Sequence, residues 1–222
     1  VKLHSEDLLR LVDLYTGVKS FILKAEELDA RLESNIAVIK EQRDALDHVM
    51  RFIGRCLKND FEESEKDQDY ISLQIDKACG HLYRAGYDSL DGIIASVTVR
   101  IRDDYLREVP LESIRDVMPE YWSDYVPKLD EIKIKAGKHR EQKDIGDSNG
   151  ESFAAYQEIA LDALRIDNAI RDKRAALQDH IKKAEEDANT RQKKEWKERY
   201  LIPAGTAILG AVAGWLLVVL FG

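Results

Sequence analysis

The chain has 222 residues, of which 34% are charged and 8% aromatic, and a formal net charge of −8 at pH 7. That balance argues against a wholly basic nucleic-acid-binding surface, while leaving room for a local basic pocket. The two cysteines, Cys56 and Cys79, lie inside apolar helical patterns and offer neither a disulfide framework nor a metal spacing. With only four prolines and twelve glycines, the composition points to an all-α protein with well-solvated outer faces.

Residues 5–33 read as a first long helix. Its expected buried face is Leu8, Leu11, Val12, Tyr15, Val18, Ile22, Ala25, Leu28 and Leu32, with Ser5 as N-cap. Ser34 and Asn35 offer a turn and a new cap for a second helix that runs to about Lys58. There Ile36, Ile39, Leu46, Met50, Ile53 and Leu57 fall on a 3-4-3-4 seam, the spacing of a face buried against other helices. Arg43 is the one charged residue on that seam, so it needs a partner or a purpose. The stretch 59–69 is expected to be a polar, mobile connection, too acidic to bury. A third helix follows over 70–106. Its Gly80, Gly86 and Gly92 each cost a helix roughly 1 kcal/mol against alanine, which predicts close helix approach or a break near Gly92.

Pro110, Pro119 and Pro127 punctuate the next part, predicting short helices over 111–118 and 120–125. Residues 133–150 read as a loop or a fraying helix end. A last long helix starts near Ser152, with Ile159, Ala163, Ile166, Ile170 and Leu177 as its stripe and Lys173 and His180 as interruptions. From 184 to 200 the stripe is lost, so this part is expected in solvent or along a lipid surface.

Residues 201–222 carry no charged side chain. As a helix they span roughly 33 Å, enough for a bilayer's hydrocarbon core. Five basic and two acidic residues in 191–199 flank the run, so the positive-inside rule places the N-terminal region in the cytoplasm. Ala207, Gly210, Ala211 and Gly214 form a small-residue face that permits close helix pairing. The expected architecture is therefore a helical bundle of long antiparallel helices over 1–150, a charged helix over 151–200 and a single-pass membrane helix over 201–222.

Arg43 and His48 carry the most suggestive chemistry. A guanidinium holds a phosphate through charged hydrogen bonds, and an imidazole transfers protons as general acid or base. Together they suit metal-independent cleavage of an RNA phosphodiester, with no cofactor. Positions five apart differ by about 140° around a helix, so one such pair converges poorly, whereas two copies facing across a dimer could converge. Arg43, Asp44, three intervening positions and His48 resemble the signature of HEPN domains. In that signature an arginine is followed by Asn, Asp or His, and a histidine closes it. The resemblance covers about 5–105. It implies a small helical bundle that often dimerises, with Arg43 and His48 as a ribonuclease's catalytic pair and Asp44 in support. It also implies a prokaryotic defence or stress setting, with RNA and a protein partner from that system as possible ligands.

His81, Arg84 and Asp88 lie on one face of the third helix, where they could meet Arg43, Asp47 or His48, or simply form an Arg84–Asp88 ion pair. Arg174 and His180 repeat the Arg-to-His spacing within a charged face, and His139 sits among Lys138, Arg140 and Lys143. No P-loop, nucleophile elbow or zinc-protease motif is present. Two readings remain: a membrane-anchored HEPN-like ribonuclease, or a non-enzymatic scaffold or membrane effector acting through oligomerisation of its tail.

Overall fold

The computed structural model describes residues 5–30, 33–58, 61, 64–142 and 151–221, with side chains for all of these except 141–142, 202–205, 216–218 and 221. Among the described residues the chain is helical and contains no strand, in keeping with the all-α expectation. The helices are α1 (Ser5–Leu28), α2 (Ile36–Cys56), α3 (Glu65–Val99), α4 (Leu111–Val117), α5 (Val126–Gln142), α6 (Glu151–Asp172), α7 (Arg174–Trp196) and α8 (Ile202–Phe221). Short π-helical turns occupy Arg100–Tyr105, Tyr121–Tyr125 and Lys197–Leu201. The chain divides into two compact units, one of Val1–Glu108 with Pro119–Asp172 and one of Val109–Met118 with Lys173–Gly222.

In the first unit α3 is the central element, with α1, α2 and α6 packed on it. Three neighbours require more than one apolar face. Ile75, Ala78, Ala85, Leu90, Ile93 and Val97 of α3 are accordingly fully buried. The helix does not break at Gly92. Instead its small residues admit neighbours, since a Cβ added at Gly86 would stand 2.5 Å from the Phe153 ring of α6 and 3.1 Å from Val18 of α1. The α6 stripe is buried as its spacing predicts, at Ile159, Ala163, Ile166 and Ile170.

Several boundaries differ from expectation. α1 stops at Leu28, and Val12 and Tyr15 of its expected buried face are exposed. Ser5 is already helical rather than a cap, whereas Asn35 caps α2 by accepting from the Ala37 N–H at 2.9 Å. α3 begins at Glu65 behind an Ser64 N-cap, inside the stretch expected to be a linker. Asp67 there is buried because Arg55 of α2 grips both carboxylate oxygens, at 2.7 and 2.9 Å. A paired carboxylate can be buried where a bare one cannot. Helix α5 continues to Gln142, and the rest of the expected loop, 143–150, lies outside the described residues.

The largest correction concerns α2. Its expected seam is not the buried one: Ile36, Ile39, Leu46, Met50 and Leu57 expose 48–78% of their surface. Val38 and Ala45 are buried instead, with Val49 and Phe52 packed against the core beside Leu11, Ile71, Ile75 and Leu82. The helix has two apolar faces, and α3 covers the less apolar one.

Helix α5 supplies a pH-sensitive contact. The His139 ring stacks on Tyr156 of α6, with centroids 5.3 Å apart, and its Nδ1 is buried without a hydrogen-bond partner. Burial holds this imidazole below its ordinary pKa of 6.5. The folded state thus resists a proton that the unfolded chain accepts. The stabilisation is complete above the unfolded value and is lost as pH falls from about 6.5 towards the lower folded value. Thermal melts between pH 7.5 and 5 should show a stability loss in the native chain that His139→Phe lacks; identical pH slopes for the two proteins would refute this.

In the second unit α4 packs on α7. His180, expected on a solvated face, lies with Nδ1 3.1 Å from Ser113 Oγ and Nε2 3.6 Å from Asp116. Ser113 is 3% exposed, so this trio ties α4 to α7 rather than presenting a nucleophile. Among the described residues no helix is long and apolar enough to cross a membrane, the described side chains of α8 being 206–215 and 219–220, all exposed. The expected span therefore rests on the sequence of 201–222.

Candidate functional site

The α2–α3 seam carries three polar rungs. Glu41 meets His81, His48 meets Gln74 and Arg55 meets Asp67. Each rung lies seven residues on along α2 and seven back along α3, the register of two antiparallel helices. Seven residues are two turns, so the rungs recur about every 10.5 Å. Ala45 and Ala78 are small and buried within the same core cluster, which suits close approach of the two helices.

Between the first two rungs the imidazoles of His48 and His81 stack, with centroids 5.3 Å apart and planes inclined by 23°. His48 Nδ1 donates to the Gln74 amide oxygen at 2.7 Å, and Gln74 is 4% exposed. A carbonyl oxygen can only accept, so this contact puts the proton on Nδ1 and leaves Nε2 for other work. His81 Nδ1 lies 2.7 Å from Glu41 Oε2, which also accepts from Arg84 Nε at 2.9 Å. Arg84 Nη2 is a further 2.7 Å from the same Nδ1. That nitrogen cannot both donate to Glu41 and accept from Arg84; with its hydrogen on Nδ1 it donates to the carboxylate, and Arg84 Nη2 is then in contact with it without a hydrogen bond. Burial opposes ionisation of Glu41, but the hydrogen bonds from His81 and Arg84 outweigh it and hold the carboxyl below its usual range.

The two residues of the sequence motif diverge. Arg43 is exposed, with Nε and Nη2 donating to its neighbour Asp44 at 2.9 and 2.7 Å. The Asp44 carboxyl is held low first by that hydrogen bond, and His81 and His48 add to the effect through space. Asp44 lies three residues after Glu41 and four before His48, hence towards their side of α2, whereas Arg43 is exposed. Asp88 lines a cavity of about 230 Å³ among α1, α2 and α3, together with Glu26, Asp29 and Glu33. Arg140 pairs with Asp91 at 2.7 Å, and Tyr156 bonds the same carboxylate.

Glu41 and Gln74 are the residues that sequence reasoning missed. Each stands seven places before a histidine and hence on its face of the helix, the one signal that could have marked them. Among the described residues no group of His, Cys, Asp and Glu is arranged to hold a metal ion. Comparison with protein-family models, curated proteins and solved structures gives no match.

Proposed function

We propose that this is a membrane-anchored helical ribonuclease of HEPN-like kind, in which His48 and His81 form the acid–base pair. The observation that carries the reading is the stacking of these two rings at 5.3 Å beside Arg84 and Glu41. His48, with Nδ1–H held by Gln74, takes the proton of a ribose 2′-hydroxyl at Nε2. The resulting oxygen attacks the adjacent phosphorus, and the P–O5′ bond breaks. His81, with Nδ1 directed at Glu41, gives a proton from Nε2 to the leaving 5′-oxygen. The products are a 2′,3′-cyclic phosphate and a 5′-hydroxyl, and the two histidines end in exchanged protonation states that solvent resets. Arg84 stabilises charge on the non-bridging oxygens, the part expected of Arg43. The defence setting rests on the motif resemblance alone.

The test is cleavage of single-stranded RNA by the full-length chain in detergent with EDTA present. Fragments ending in a cyclic phosphate are expected; cleavage no greater than that of the His48→Ala, His81→Ala double variant would sink the reading.

The apolar, charge-free sequence of 201–222 and the exposed Ile208, Leu209, Val212, Trp215, Val219 and Leu220 support membrane anchoring. They equally favour the second reading, a membrane effector that acts through its tail. Ending the chain after Lys194 should move it from the membrane pellet to the soluble fraction while RNA cleavage persists. A truncated protein that stays in the pellet would overturn the anchor. A membrane phenotype that needs the tail, with no cleavage by either form, would favour the effector.

A further inference from the structure

Helix α2 leaves one apolar face uncovered in the first unit. Ile36, Ile39, Leu46, Met50 and Leu57 are exposed at 48–78%, and with Arg43 and the partly buried Ile53 they keep a 3-4 alternation over three heptads. This is the pattern of a helix that pairs with another helix. The α3-facing residues Glu41, His48 and Arg55 lie on the opposite side of α2.

We propose that this face binds a second copy of the chain, α2 against α2 in antiparallel orientation. Two stripes of this size would bury on the order of 1,200 Å², within the range of specific dimers. Charge selects the orientation. A parallel, in-register pair stacks Arg43 on the partner's Arg43. An antiparallel pair sets Arg43 against the partner's Leu46 and Ile39 against the partner's Met50. That register also brings Lys40, on the flank of the stripe, opposite the partner's Asp47 twice, once on each side of the two-fold axis. Asp47 already holds Arg51 at 2.8 Å, and Arg43 enters the contact with its charge paired to Asp44. The geometry also separates assembly from chemistry. His48 lies about 140° around α2 from Arg43, so each copy keeps its own Glu41–His48–Gln74–His81–Arg84 cluster outside the contact. This inference does not depend on RNA cleavage.

The test uses the full-length protein in a Cys56→Ser background, because Cys56 is exposed. Ile39→Cys and Met50→Cys chains are produced alone and together and then oxidised. A disulfide-linked dimer is expected only from the co-produced pair, since the two positions face each other only between antiparallel copies. Leu46→Glu should abolish that cross-link, while Leu73→Glu, at an exposed apolar position of α3, should leave it intact. Cross-linking of either single-cysteine chain with itself would overturn the antiparallel arrangement. Absence of any cross-link, with positions 39 and 50 labelled freely, would overturn the interface. The same absence with both positions protected would assign the face to a lipid surface or another protein instead. Tail-driven association cannot mimic the expected result, because it would not bring position 39 to position 50.

Discussion

His48→Ala and His81→Ala should each slow RNA cleavage by about 10²–10⁴-fold, the usual contribution of one positioned acid or base. The two losses should not multiply, because removing either imidazole already breaks the proton path that both serve. The rate of the native chain should rise and fall with pH, since one ring must be neutral while the other is charged. Each single variant should lose one limb of that profile. Gln74→Leu provides the finer check, because it leaves both imidazoles in place. It removes the acceptor that holds the His48 proton on Nδ1, so it should lower the rate and displace the limb that reports the base. A merely structural Gln74 would lower stability without moving the profile. Equal cleavage by all four proteins would mean that the stacked rings have no part in catalysis.

Gly86→Ala should lower stability by about 1–3 kcal/mol, the usual range for forcing an atom into a filled core. Alanine is the better helix former by roughly 1 kcal/mol, so the sign depends on whether the neighbour can move. The new Cβ would stand 2.5 and 2.6 Å from two atoms of the Phe153 ring. That ring is held edge-on by Tyr83 and Tyr87, at 5.4 and 5.3 Å, and cannot swing aside. Gly92→Ala is the contrast. Its Cβ would meet only the Ala25 Cβ, at 3.6 Å, so the propensity gain should stand and stability should rise by about 0.5–1 kcal/mol. Urea melts of the two variants distinguish these outcomes; a stabilised Gly86→Ala would show that α1 and α6 yield at this point.

Helical content and most of the long helices were legible because apolar residues recur at the helical period, and in α6 that stripe is the buried one. Helix α2 misled for a physical reason. Its more apolar face, Ile36 to Leu57, is the one left uncovered, while the face against α3 contains Glu41, His48 and Arg55. Polar side chains can occupy a helix interface when partners on the next helix satisfy them. Those partners, His81, Gln74 and Asp67, lie 12–40 residues away, and no local pattern announces the pairing. The same pairing hid the start of α3, since Asp67 reads as solvated until Arg55 is placed beside it. Of the candidate site, His48, His81 and Arg84 could be named from sequence. Glu41 and Gln74 carried only the weaker mark of standing seven places before a histidine, and Arg43 points elsewhere than its motif suggests.

The three rungs between α2 and α3 also bear on how the chain reaches its native state. Helix pairs close in sequence are among the contacts that form soonest, because little chain must be looped to bring them together. A hairpin misaligned by one turn would miss Glu41–His81, His48–Gln74 and Arg55–Asp67 all at once and keep only apolar contacts, which are less particular about register. The register that forms the rungs is also the one that brings the two imidazoles together. Amide protons along α2 and along the facing part of α3 should accordingly exchange with solvent as one cooperative group.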